Sequence, residues 1–407
     1  MERLSQAKRI PFFVIFLTLS SLSQAQTFTV LHAFSGPDGA HPSAVPIFDR
    51  AGNLYGPTES GTGNAYNGSV YKLGHHGEGW VLSSLYDFQG GSDGAEPAAR
   101  LTFRQDGTLF GSTLYGGSDG CVPNGCGTVF QLRPPASFCR SISCPWTETQ
   151  AYVFPSGGYG AQPNSPIVFD QAGNAYGTAG GDGGLGVAYE LSPTTEGWTE
   201  TILHGFRLSD GSYPNGVISD SLGNLYGTTY DGGPGSCGTV FELSPSASGW
   251  TFSVLYSFDC RDPEGGYLLG RLVLDNAGNL YGTTLFGGDD GSGTVFELSP
   301  QNGSWTHSIL YSFPGEDNYP GTLVFDNAGN LYGINDAEGG SGYVFKLTNS
   351  GGNWTYATLY YFTGGSDGAY PVDTVVLDNS GNVYGVAEEG GSRNCQDGCG
   401  TVWEITP

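Results

Sequence analysis

The sequence predicts an all-β fold, a seven-bladed β-propeller with four antiparallel strands per blade, and three observations carry that prediction. First, a glycine-flanked aromatic motif, Gly-Asn-Leu-Tyr-Gly or a close variant, recurs seven times, with its aromatic at Tyr55, Phe110, Tyr176, Tyr226, Tyr281, Tyr332 and Tyr384. Intervals of 50 to 66 residues between copies are those of an array of supersecondary units. Second, each unit holds four short runs of β-branched and aromatic residues bounded by Gly, Asn, Asp or Pro, with no sustained helical period. Third, the two ends of the array are complementary, so the ring can close.

The N-terminal segment stands apart from the fold. Lys8 and Arg9 precede an apolar stretch from Ile10 to Leu19, and Ser23-Gln24-Ala25 supplies small residues at the positions a signal peptidase reads. Residues 1–25 are therefore expected to be a secretory signal peptide, and residues 26–407 a single propeller domain. The cleanest unit then reads, in order, strand a over Leu272–Asp275, an Asn-Ala-Gly turn, strand b over Asn279–Thr284, a Gly/Asp loop, strand c over Gly293–Ser299, and strand d over Trp305–Phe313. Four such strands make one blade. The last copy stops after strand c, at Thr401–Thr406, while the mature chain begins with a lone d-type strand, Phe28–Phe34. Pairing these two closes the ring and hides both sheet edges.

Eight cysteines fall in close pairs: Cys121 and Cys126, Cys139 and Cys144, Cys237 and Cys260, Cys395 and Cys399. An even count at short spacing, without histidine support for zinc, reads as disulfides in an oxidising compartment. Cys237 and Cys260 flank one c–d hairpin, whereas the other pairs staple loops.

The repeated string of Asp-Gly-x-x-Pro, Gly-Asn-Leu-Tyr-Gly-Thr-Thr, Gly-Gly and Gly-Thr-Val-Phe-Glu-Leu resembles the GloVer tandem repeat of exported bacterial proteins, most cleanly at Tyr226–Thr229 and Gly238–Leu243. The resemblance implies export and tandem β-repeats, and it implies no reaction and no catalytic residues. Members often carry a C-terminal sorting anchor. With none before Pro407, secretion into the extracellular space or the periplasm is expected rather than surface attachment.

Thirty-nine acidic residues against fourteen basic ones give a net charge of −25. Such a surface repels nucleic acid, anionic lipid and acidic polysaccharide. A neutral glycan, another extracellular ligand or a cation remains, and no transmembrane span is present after the signal. A monomer is expected.

In a propeller the d–a and b–c loops share one face around the central channel, and here those loops vary while the a–b turns do not. Three sets of residues fall on that face. One is the residue that usually precedes a proline: His41, Glu96, Gln162, Tyr213, Tyr267, Tyr319 and Tyr370. Its tyrosines can stack on a sugar face and offer a hydroxyl, or serve as loop filler. The second is acidic. Glu59, Asp336, Glu338, Glu388 and Glu389 depart from the Tyr-Gly-Thr-Thr pattern in blades six, seven and one, which ring closure makes neighbours. They would supply the paired carboxylates of a glycosidase or lyase (Glu59, Asp336, Glu388, Glu389), oxygen ligands for Ca²⁺ (Asp336, Glu338), or only a solvated rim. Ca²⁺ is the one cofactor this pattern would suit; none is otherwise expected. Arg393 lies in the same loop as Glu389 and could orient a ligand. The third is a recurring loop aspartate, Asp38, Asp93, Asp210, Asp317 and Asp367, with Tyr159 and Glu264 in the remaining copies, expected to bond its own turn. The reading is a secreted ligand-binding module, carbohydrate being the expected ligand. A glycan-active enzyme and a structural or protein-interaction module stand as alternatives.

Overall fold

A computed structural model describes residues 26–61, 67–77, 79–117, 121, 124–135, 146–155, 160–181, 184–261, 263–315, 318–337 and 340–407. All regular structure among them is β, arranged as seven antiparallel sheets in the strand order a-b-c-d. Blade five illustrates the plan, with a at Val273–Leu274, b at Leu280–Thr284, c at Thr294–Gln301 and d at Ser304–Ser312. Blade seven is closed by the chain's beginning. Its strand c (Thr401–Thr406) pairs antiparallel with the N-terminal strand Thr27–Ala33, in a register running from Thr27 opposite Thr406 to Ala33 opposite Thr401.

The repeated motif folds this way for local reasons. The a–b turn is built on one aspartate. Asp275 accepts the backbone N–H groups of Ala277 and Asn279, both at 2.8 Å, the Asn279 side-chain amide at 2.8 Å and the Tyr281 hydroxyl at 3.1 Å. The motif tyrosine thus reaches back to tie strand b to its own turn, and the same set recurs at Asp49 and Tyr55. Blade two changes both partners together. Arg104 replaces the aspartate and Phe110 the tyrosine, and the guanidinium lies over the rings of Phe110, Phe169 and Trp198 at 5.7–5.9 Å. The glycine after the tyrosine is required by packing: a Cβ at Gly282 would lie 2.6 Å from Phe296 of strand c, and one at Gly385 only 2.2 Å from Trp403.

The core lies between blades. Tyr281 and Val295 of blade five pack with Leu323, Leu331 and Phe345 of blade six, and the other clusters likewise bridge neighbours. Disulfides join Cys121 to Cys126, Cys237 to Cys260 and Cys395 to Cys399 with Cα separations of 4.9, 5.3 and 5.1 Å. They mark an oxidising compartment. Cys139 and Cys144 lie outside the described residues. No helix among the described residues is long and apolar enough to cross a membrane.

The innermost strand departs from expectation. It begins earlier than the sequence suggests and is split in most blades, as at Ala40–Pro42 and Ile47–Phe48 in blade one. His41, Glu96, Tyr213, Tyr319 and Tyr370 are therefore strand residues and not free loop, while Gln162 and Tyr267 lie ahead of their strands. His41, Glu96, Gln162, Tyr213, Tyr267 and Tyr370 all take φ between +53° and +57°. This turns each N–H out of its own blade toward the preceding one: His41 donates to the Cys399 carbonyl at 2.9 Å, Tyr267 to Cys237 at 2.8 Å and Tyr370 to Ser341 at 3.0 Å. Left-handed backbone at a non-glycine residue is seldom populated, and it persists here because an inter-blade hydrogen bond stabilises it.

The recurring loop aspartates are structural. Asp93 accepts the Gln89 N–H and the Tyr86 hydroxyl, and Asp367 accepts the Thr363 N–H and the Tyr360 hydroxyl, so each ties its turn to strand d. Asp317 and Tyr159 lie outside the described residues.

Candidate functional site

The seven innermost strands surround a central channel, and every blade contributes to its wall. Its cavity of about 450 Å³ is lined from Ser43 and Ala98 around to Asn164, Asn215, Tyr319 and Asp373. Two positions repeat around this ring, the pre-proline residue and the fourth residue after the motif aromatic, and of these Tyr319 and Asp336 line the cavity at its mouth. That second position is Glu59, Asp336 and Glu388 in blades one, six and seven, and Leu114, Gly180, Tyr230 and Leu285 in blades two to five. At this position blades six, seven and one are therefore acidic and blades two to five are not.

Of the expected acidic group, Glu59, Asp336, Glu388 and Glu389 lie within reach of one another's charge. Burial raises the Glu59 carboxyl to about 7, with the charges of Glu388 and Glu96 adding to the effect. Burial likewise raises Asp336 to about 6, aided by Glu388 and Glu389. Glu388 therefore stands between Glu59 and Asp336 as their shared neighbour. Glu389 is also shifted upward, by burial and then by Asp397 and Glu388, with His41 opposing; burial alone raises Glu96. One oxygen of Asp336, Oδ1, is buried without a hydrogen-bond partner. Asp336 pairs directly with Tyr319 across the a–b ladder, and both line the channel.

The other expected residues are spread around the rim. Tyr213 is 50% exposed. Tyr267 packs against Tyr230 of the preceding blade and Phe286 of its own, with ring centroids 5.1 and 5.5 Å away. It lines a separate depression beside the Cys237–Cys260 disulfide. Tyr370 follows Ala369, which pairs with Glu389. His41 borders a rim depression with Ser60 and Asn394. Arg393 lines another, with Ser366 and Asp397, and does not reach the channel lining. Among the described residues no three His, Cys, Asp or Glu side chains converge as metal ligands, and Glu338, half of the expected Ca²⁺ pair, lies outside them.

Sequence reasoning missed a second polar group deeper in the channel. Arg271 of blade five reaches across to Asp373 of blade seven, Nη2 to Oδ1 at 2.9 Å, and Arg100 of blade two faces the same cavity. A signal was available. Arg100 and Arg271 each precede the buried leucine of strand a (Leu101 and Leu272), so they share one register position in a chain with only fourteen basic residues.

With this geometry in hand, comparison places the chain. The model of the Gloeobacter/Verrucomicrobia repeat matches residues 18–151 and 141–342. The chain belongs to the Gloeobacter/Verrucomicrobia repeat family. This is the GloVer resemblance of the motif strings, now extending over most of the chain. No curated protein matches it by sequence. Solved structures match at the level of the whole ring. A catalytically inactive variant of virginiamycin B lyase from Staphylococcus aureus, solved with quinupristin, is 13% identical with a TM-score of 0.59, the match covering 94% of this chain and 99% of that one. A proposed 6-phosphogluconolactonase from Bacteroides uniformis is 12% identical with a TM-score of 0.54, over 85% and 89% of the two chains. The extracellular domain of a proposed hybrid two-component system, BT4673 of B. thetaiotaomicron, is 12% identical with a TM-score of 0.55, over 93% of this chain but 39% of that one. At such identities the likeness extends to the propeller fold alone.

Proposed function

We propose that this repeat protein is an exported ligand-binding propeller whose ligand, a neutral carbohydrate, enters the channel mouth between blades four and one. One observation carries this reading: Tyr319 and Asp336, an aromatic platform and a carboxylate with a free buried oxygen, face each other in one ladder and line one cavity. A sugar offers an apolar face to the ring and hydroxyl donors to the carboxylate, which is what such a pair recognises. Tyr213, Tyr267 and Tyr370 extend the aromatic side around the rim. Export is supported by the leader-like N-terminus and the disulfides. The test is a panel of neutral polysaccharides assayed for retention, with wild type and with Tyr213, Tyr319 and Tyr370 each changed to Ala. Retention of at least one glycan, weakened about tenfold or more by Tyr319→Ala, is expected; no retention, or retention indifferent to all three changes, removes the reading.

A second reading, a glycan hydrolase or lyase, is favoured by one specific feature. Glu59 and Asp336 are held partly protonated near neutral pH beside Glu388, as a general acid next to a base would be. The same panel assayed for product release separates the two. Turnover that peaks between pH 6 and 7 and is lost in both Glu59→Gln and Asp336→Asn would establish catalysis; retention without products would leave binding alone.

A further inference from the structure

The mouth does not account for the arginines within the channel. Arg100 and Arg271 occupy one level of the innermost strands, where the other blades place Val45, Pro166, Gly216, Thr322 and Thr374. Arg271 is fixed. Its backbone N–H donates to the Thr322 hydroxyl at 3.1 Å, its stem crosses close over Gly216, and its guanidinium meets Asp373. Gly216 suits that approach: its φ is +97°, and a Cβ would lie 3.1 Å from the Arg271 Cδ. Arg100 is not fixed. Among the described residues its side chain makes no hydrogen bond and no ion pair, although it is half-buried and lines the cavity. Burial and the neighbouring Arg271 charge weigh against its cation, and Asp373 opposes them only in part. A half-buried guanidinium held beside a second cation is unfavourable, and an anion in the cavity would offset that repulsion.

We propose that the middle of the channel is a binding site for the carboxylate group of a small organic acid, held between Arg100 and Arg271. Two guanidinium groups and the Asp373 carboxylate leave this level one positive charge in excess, which suits a monoanion. The planar donor fork of Arg100 matches two carboxylate oxygens. Asp336 at the mouth disfavours a dianion such as phosphate, which would have to pass its charge. Asn164 and Asn215 add neutral polar groups to the same wall. The site does not depend on what the mouth binds.

The test uses the full chain and sodium glucuronate as probe, titrated calorimetrically at constant ionic strength, with glucose and inorganic phosphate as comparisons. Saturable glucuronate binding is expected, at least tenfold tighter than the binding of either glucose or phosphate. Arg100→Gln is expected to weaken glucuronate tenfold or more, and Arg100→Lys to lose less, because a point charge replaces the fork. Circular dichroism melting of both variants shows that they fold. Because Arg100→Gln removes a cation without an ion-pair partner beside Arg271, its melting temperature without ligand should equal or exceed that of wild type. Glucuronate binding no stronger than that of chloride, phosphate binding as tightly as glucuronate, or unchanged affinity in Arg100→Gln would each overturn the proposal. So would a marked drop in Arg100→Gln stability without ligand, which would make Arg100 a structural strut.

Discussion

At the scale of single residues, the repeat is a set of paired requirements. The aspartate that opens the a–b turn and the tyrosine that ends the motif form one hydrogen-bonded unit, and blade two shows that they are exchanged together, for Arg104 and Phe110. Changing Asp275 to Ala should therefore cost about 1–3 kcal/mol, because it leaves the Tyr281 hydroxyl and turn amides unpaired. Tyr281→Phe should cost less, and the double variant less than the two together, with a coupling of at least about 0.5 kcal/mol. Chemical denaturation of the four proteins checks this. The acidic mouth makes a second prediction. Glu59 has an ordinary value of 4.5 and a folded value of about 7, so the folded state holds its proton more tightly than the unfolded chain. Its favourable contribution is whole below pH 4.5 and is lost as pH rises through about 7. Asp336 behaves alike between 3.8 and about 6. Glu59→Gln should then raise the melting temperature at pH 8 relative to wild type and leave it nearly unchanged at pH 4. An equal effect at both values would mean that the carboxyl is not perturbed.

At the scale of elements, strands b and c are matched through the motif glycine. Each aromatic of strand c, from Tyr71 in blade one to Trp403 in blade seven, sits where a Cβ on the facing glycine would be. Gly282→Ala should cost about 1–3 kcal/mol by overpacking, measured as a shift in denaturation midpoint. The disulfide across the c–d hairpin of blade four should contribute about 3 kcal/mol. Cys237→Ser with Cys260→Ser should show that loss, and wild type should lose at least as much in reductant, which opens the other disulfides as well. Much at this scale was legible in the sequence. Turn chemistry, strand period and the clustered departures in blades six, seven and one are all local patterns, and they lead to the strands and to the meeting of Glu59, Glu388 and Asp336. What was not legible depends on contacts between blades. The positive φ of His41 or Tyr370 exists only because a carbonyl of the preceding blade accepts its N–H, which moves these residues from loop into strand. Arg271 meets Asp373 across more than a hundred residues of chain, a contact that no single repeat foretells.

At the scale of the molecule, closure and the channel are linked. The N-terminal strand completes blade seven, stacking Phe28 on Tyr360 of blade six with centroids 3.8 Å apart. Removing residues 26–34 should expose the edge at Thr401–Thr406, so the truncated chain should self-associate in gel filtration and melt lower than the closed ring. The closed ring is also what makes blades six, seven and one neighbours, with Glu59, Glu388 and Asp336 within reach of one another's charge. The central claim is that the channel mouth receives the ligand. It is tested most directly by a crystal structure of the protein with a glycan that it retains. The account predicts sugar density at the channel mouth, stacked on Tyr319 and within hydrogen-bonding distance of Asp336. Density confined to the outer d strands or to the a–b turn face, with the mouth empty, would contradict it.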